Sequence, residues 1–317
     1  MIGQILIAAA AGCASAAMFA SIVSGELISL VLLYLSPLPL MVAAIGWGPF
    51  SAAIGGALAA IGLGAIFGIG DLIGFAIAVV LPACCLGHLC LLGRLLAAGE
   101  GAPPALEWYP VGRILLWIAG FAALAIGAAL LALGSSAAEI TATLRSFMQR
   151  VFSIDETAAG GDAERWIDAI VSFAPSVAAI AATLTLTLNL WLAAKVTATS
   201  GRLSRPWPDL KMAALPPMTL VALCVAAAFC FSGGLLAMLA KIAIAALVMA
   251  YALTGFAVLH TLTLALKSRA FWLGSTYAFV VVFQWPMLAL AALGLADAVF
   301  GLRRRYLRSH PPPLPVA

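Results

Sequence analysis

Charge is what this sequence has least of. Only 9% of its 317 residues are Asp, Glu, Lys or Arg, against about a quarter in soluble domains. So little polar surface excludes a water-soluble globule of this length, and the excess apolar side chains need a non-aqueous neighbour. Catalytic signatures are missing as well. There is no Walker loop, no H-E-x-x-H and no G-x-S-x-G elbow, which excludes the commonest nucleotide-driven, zinc-peptidase and serine-hydrolase chemistries. No long apolar run holds a carboxylate pair; Glu26, Asp71 and Asp297 sit at run ends. Proton-coupled exchange and intramembrane aspartyl proteolysis both need ionisable groups at depth. The chain therefore reads as a non-enzyme with no cofactor. The six cysteines, Cys13, Cys84, Cys85, Cys90, Cys224 and Cys230, all fall in apolar runs and read as small buried hydrophobes rather than a disulfide framework. The N-terminus has no basic segment before its first apolar run, so that run reads as a retained helix.

What remains is a series of long apolar stretches. Their continuity predicts an all-α polytopic bundle rather than a β-barrel, whose strands alternate. At roughly 20 residues per crossing of a ~30 Å hydrocarbon core, the chain has room for about eight. The runs cover residues 5–24, 27–47, 50–69, 71–92, 111–133, 170–196, 216–234 and 235–266, with a final run at 271–299. The chain divides into an N-terminal bundle of about five helices (1–134), an acidic segment (135–169), a C-terminal group of helices (170–301) and a basic, proline-rich tail (302–317). Within the acidic segment, Ile140, Leu144, Phe147, Met148 and Val151 recur at helical spacing, predicting an amphipathic surface helix.

The formal charge of +4 reads as topology, not nucleic-acid affinity. Arg94 and Arg113 mark one cytoplasmic loop; Lys195, Arg202, Arg205 and Lys211 mark another. The acidic segment, which includes Asp155, Glu156 and Asp162, then faces outside. Lys267 and Arg269 should share a side with Arg303, Arg304 and Arg305, yet one apolar run lies between them. A re-entrant last run pivoting at Gln284, Trp285 and Pro286 resolves the conflict, because each limb of ~14 residues is too short to span. That gives eight crossings and a cytoplasmic C-terminus; a ninth crossing is the alternative.

Several residues are candidates for function. Ser36, Pro37 and Pro39 interrupt the second run and remove two backbone donors, as in the discontinuous helices of transporter sites; the plainer reading is a proline kink. Ala8, Gly12, Ala16 and Ala20 form a small-residue face for close helix docking, within the chain or onto another membrane subunit. Cys84 and His88 share a helical face but lack further ligands, so no metal site is assigned. Glu107, Trp108, Tyr109 and Arg113 suit an interfacial loop with a Glu–Arg pair. Trp47, Asn189, His260 and Gln284, with Lys241, are polar or amphipathic groups set in apolar surroundings, suited to a solute pathway or to packing.

These features carry a resemblance. The small-residue first helix, Ser36-Pro37-Leu38-Pro39, the Gly46-Trp47-Gly48 turn, Glu107-Trp108-Tyr109-Pro110, the 255–260 segment and Gly294-Leu295-Ala296-Asp297 before Arg303 resemble the YybS-like family of bacterial multi-pass membrane proteins, in its alphaproteobacterial branch. That family is similar in helical pattern to the S components of energy-coupling-factor transporters. The resemblance implies an inner-membrane protein in contact with the lipid bilayer, binding a small solute without its own ATPase. It also implies docking to a membrane coupling subunit through Ala8, Gly12, Ala16 and Ala20. The solute would sit near Ser36, Pro37, Pro39, Trp47, Asn189, His260 and Gln284. The chain is longer than an S component of six helices. A membrane scaffold or envelope-assembly factor is the other reading.

Overall fold

The computed structural model describes residues 2–96, 105–152 and 161–309. Asp155, Glu156 and the proline-rich tail lie outside them, as does the side chain of Asp162. The described residues form an all-α bundle with one short hairpin. Helix α1 (Ile2–Ala20) continues through a tight turn at Ser21–Ser24 and stops at Gly25, whose φ of 71° is left-handed. α2 (Leu27–Leu35) and α3 (Pro37–Trp47) follow, then α4 (Pro49–Phe67). Gly48 and Gly68, at φ 97° and 111°, end α3 and α4 in conformations closed to most side chains. α5 (Ile69–Phe75), a π-helical segment (Ala76–Val80) and α6 (Leu81–Leu91) make one continuous rod. Pro82 explains the π segment: its ring excludes the normal bond to the carbonyl four residues back, and a widened turn absorbs the misfit.

A hairpin of β1 (Gly93–Leu96) and β2 (Ala105–Trp108) stands where an interfacial loop was expected, pairing Arg94 with Glu107. α7 (Val111–Leu133) leads to the amphipathic α8 (Ala137–Phe152) and to α9 (Gly161–Thr199). At 39 residues α9 is about 58 Å long at 1.5 Å per residue, so its first turns rise beyond an apolar slab. There Ile140 of α8 and Ile167 and Val171 of α9 are buried, and Arg145 pairs with Asp168. α10 (Met218–Phe229), α11 (Gly234–Leu262), α12 (Arg269–Phe283), α13 (Pro286–Phe300) and α14 (Leu302–Ser309) complete the chain.

Among the described residues, seven helical spans are long and apolar enough to cross a membrane, or eight if the pair α13–α14, bent by 73°, counts as one. The outer surface is apolar, with Phe231 at 92% and Leu27 and Phe50 at 83% exposure. The protein is thus a multi-pass integral membrane protein whose outer face needs lipid. The run at 216–234 yields only the 12-residue α10, about 18 Å long, below the length of a full crossing. Among the described residues, every Lys and Arg except Arg145, Arg150, Arg165 and Lys241 falls at one end of the bundle, called here the basic end.

Two parallel helix pairs set the packing. α1 meets α4 where Gly12 lies against the Gly55 carbonyl and Gly55 against the Ala8 carbonyl. α11 meets α13 where Gly255 lies against the Leu290 carbonyl and Gly294 against the Tyr251 carbonyl. Each glycine of the second pair touches the carbonyl four residues before the other, as in close parallel helix dimers. This register puts Pro286 level with Leu247, so α13 begins about 20 Å short of the start of α11. The chain turns at Gln284, the one non-glycine residue with positive φ (58°) among those described. α14 returns to the basic end, where the Tyr306 hydroxyl accepts from the Ala265 amide at 3.3 Å. α12 and α13 therefore form a V open to the basic end, each limb about 22 Å long.

A Cβ at Gly255 or Gly294 would overlap backbone. Gly294→Ala should destabilise the folded protein by about 1–3 kcal/mol, the usual cost of overpacking, measured by reversible unfolding in mixed micelles. At the start of α8, the Glu139 amide donates to Ser136 Oγ (3.2 Å), while Glu139 Oε2 accepts from the Ser135 amide (2.8 Å) and hydroxyl (3.0 Å), a capping box displaced by one residue on its carboxylate side. The Ser135 bonds hold the Glu139 carboxyl below its usual pKa. A lowered folded pKa adds stability above the unfolded value and loses it as pH falls through the folded one. Amide protection in α8 should drop on acidification below about pH 4 in the natural protein, and Glu139→Gln should remove that dependence.

Candidate functional site

The seven residues expected around a solute do not converge. Ser36 and Pro37 are buried, and Ser36 keeps helical angles (φ −57°, ψ −29°), so α2 and α3 form one span rather than a discontinuous helix. Asn189 of α9 supplies the reason. Its Nδ2 donates to the carbonyls of Tyr34 and Thr185, both at 2.8 Å. A backbone acceptor beside the proline break is thereby satisfied across 155 positions of sequence, as a lipid environment requires. None of the cavities described here is lined by Ser36, Pro37 or Pro39. Trp47 lies at the basic end with the Arg202 guanidinium 4.4 Å from its ring centre. His260 and Gln284 lie at the C-terminal V and apart from the proline break: His260 Nε2 of α11 bonds the Tyr277 hydroxyl of α12 at 2.8 Å, and Gln284 is exposed at the turn.

Other expectations change too. Ala8 and Gly12 are covered by α4, so they cannot face another subunit; only Ala16 and Ala20 border an open groove of ≈380 Å³ with Leu63 and Phe67. Glu107 pairs with Arg94 at 2.8 Å across the hairpin, not with Arg113, whose guanidinium sits 5.9 Å from the Tyr109 ring centre. Lys241 borders a polar recess at the other end with Asp168 and Ser172. Among the described residues no cluster of three or more His, Cys, Asp or Glu could hold a metal, Cys84 and His88 included, and all six cysteines are free.

An apolar, half-open cavity of ≈260 Å³ lies between α7, α9 and α11 at the basic end, touched also by Ile45 of α3. Its walls include Ile118, Leu190, Trp191 and Leu253. The Thr187 and Thr254 hydroxyls in the wall donate to their own helices, to Thr183 O (2.7 Å) and Tyr251 O (2.9 Å). They leave little for water to bond, and apolar cavities stay dry or take apolar guests.

A strap of residues 200–217 closes the basic end. Pro206, Pro208, Pro216 and Pro217 keep it from continuing as helix. Its tightest fastenings are to α7 and to Arg303. The Ala214 carbonyl lies against Gly112 of α7, where any Cβ would collide. Arg303 Nη1 donates to the carbonyls of Lys211 (2.8 Å) and Ala213 (2.9 Å). Arg303 is itself held by Asp297, with Nη2 2.7 Å and Nε 2.8 Å from Oδ2 and the Arg303 amide 2.8 Å from Oδ1. Both side chains are about nine-tenths buried.

Cations stacked on tryptophans gather beside the cavity. Lys195 Nζ lies 4.1 Å from the Trp207 ring centre and 6.0 Å from that of Trp191. Arg205 is the one charged residue in the cavity wall; its Nη1 lies 3.5 Å from the Cys90 carbonyl and its guanidinium 6.0 Å from the Trp108 ring centre. Burial lowers its pKa below the usual guanidinium range, with nearby Cys90 opposing that shift, and it stays a cation at neutral pH. Among the described residues, no carboxylate forms an ion pair with Lys195, Arg202 or Arg205. Sequence reasoning counted these cations only as topology markers. The available signal was Pro206-Trp207-Pro208 beside Arg205, a rigid aromatic segment in a basic loop.

No protein-family model, curated protein or solved structure matches this chain.

Arg303→Ala would leave Asp297 buried without its partner and release two strap carbonyls. It should cost about 3–5 kcal/mol, as for other broken buried pairs, with hydrogen exchange rising first in residues 210–215.

Proposed function

We propose that this chain is a bacterial inner-membrane protein that captures a small, largely apolar solute in the cavity beneath the 200–217 strap. Transport would need an energy-supplying partner, because the sequence has no nucleotide-binding motif. The observation that carries this reading is the cavity itself, apolar and walled by three long apolar helices, the setting in which bundle proteins bind ligands. The basic end is cytoplasmic by the distribution of Lys and Arg. In that frame α12–α13 is re-entrant, α10 is a short eighth crossing, and the C-terminus is inside. The resemblance to YybS-like proteins and S components is compatible with solute capture, with a coupling subunit meeting Ala16, Ala20 and their groove rather than the covered Ala8 and Gly12.

One observation favours a scaffold instead. The turn at Gln284 is exposed at the depth of Leu247, flanked by Val281 and Trp285, which are also exposed, and irregular backbone at such depth needs protein or water around it.

The two readings separate in a thermal-unfolding screen. A ligand at 100 times its Kd adds about 2.7 kcal/mol. An apolar compound should raise the unfolding midpoint of the natural protein, and Ala194→Phe, which fills the cavity, should abolish that shift while preserving the helical signal. A panel of apolar solutes with no effect would overturn solute capture.

A further inference from the structure

We infer that the solute is an amphiphile with an anionic head, its chain in the cavity and its head on Arg205 and Lys195 at the mouth. The inference rests on the solute-capture reading and adds the chemical class. The cavity wall asks for a hydrocarbon: its two threonine hydroxyls are spent on their own helices, and apart from Arg205 and Cys90 its remaining residues are aliphatic and aromatic. The mouth asks for a negative charge. Arg205 reaches into the wall, held by a long contact to the Cys90 carbonyl and by the Trp108 ring 6.0 Å away. Lys195 stands over Trp207, which lines the same space. Neither has a carboxylate partner among the described residues, although Arg94 and Arg303 at the same end both do. Guanidinium and ammonium groups held unpaired on aromatic rings suit a phosphate or carboxylate, and the guanidinium can bind one bidentately. A neutral solute would leave the half-buried Arg205 without a counter-ion, and a hydrophilic anion would leave the cavity empty.

Such an amphiphile could be a free fatty-acid-like molecule or an anionic phospholipid of the bilayer. Both present the same chemistry, and the test separates them. Trp191 and Trp207 line the cavity, so a brominated chain seated there quenches their fluorescence. The full chain would be reconstituted in nanodiscs of zwitterionic lipid at mildly alkaline pH. It would be titrated with brominated stearate, brominated stearyl alcohol or brominated phosphatidylglycerol, using a Trp191→Phe/Trp207→Phe variant to isolate the cavity signal.

Saturable quenching by stearate, displaced by unbrominated stearate and at least about tenfold tighter than by the alcohol, assigns a free anionic amphiphile. Saturable quenching by phosphatidylglycerol alone assigns a bilayer lipid. In either case Arg205→Gln should weaken the anionic probe about tenfold or more, the scale of one charge-assisted hydrogen bond. It should leave the alcohol unchanged, and Arg205→Lys should restore part of the loss. Equal binding of alcohol and anions, or no effect of Arg205→Gln, overturns the inference while the apolar cavity stands as a capture site. Absence of saturable quenching by any of the three overturns the inference; solute capture as such is decided by the apolar panel and Ala194→Phe.

Discussion

Direct contact between backbones at glycine is the constraint on which the rest of this bundle depends. Between helices in lipid there is no hydrophobic drive to association, so close packing must supply the cohesion. Gly12 and Gly55 bring α1 against α4, Gly255 and Gly294 bring α11 against α13, and Gly112 brings the strap against α7. In each place a helix or segment presses on the carbonyls of its neighbour with no side chain between. Because both helix pairs are parallel, the intervening chain must go out and come back each time. In the N-terminal pair it does so through α2–α3, and in the C-terminal pair through α12. Remaining helices fill the space around those two anchors. α11, the most enclosed, carries Tyr251 and Val258 almost fully buried and supplies one wall of the cavity.

Polar side chains in the apolar region serve the backbone before anything else. Asn189 ties the carbonyl beside the proline break, Thr183, Thr187 and Thr197 bond carbonyls one turn back, and His260 joins two helices. Such local bonding keeps hydroxyls satisfied without partners elsewhere. The charged exception, Arg303 with Asp297, does the same on a larger scale: its guanidinium binds the carbonyls of the strap that closes the cavity. Closure of the cavity and packing of the C-terminal V are therefore mechanically one arrangement.

Much of the fold was legible because membrane helices announce themselves by length and hydropathy. The apolar runs became helices, and the amphipathic periodicity from Ile140 to Val151 became α8. Gln284, Trp285 and Pro286 mark the turn between α12 and α13 because proline begins a helix readily and cannot continue one. The site was far less legible. Asn189 bonds a carbonyl 155 positions away, and nothing local to either residue encodes that meeting. The cavity arises between α7, α9 and α11, whose relative placement follows from distant packing contacts. Glu107 was assigned to Arg113, six positions along the chain, when a two-stranded turn carries it to Arg94 instead. The capping box at Ser136 and Glu139 was readable from S-x-x-E spacing alone.

The bond from Asn189 to Tyr34 also has a place in time. Chains emerge at ~5–20 residues per second, so the 155 positions between the two residues correspond to roughly 8–30 s of synthesis. During that interval α2–α3 is already made and its proline break lacks the amide that will close it. Whatever holds the nascent chain must shelter that carbonyl until α9 arrives. The second helix of this protein is thus finished as a covalent object long before it is finished as a membrane span.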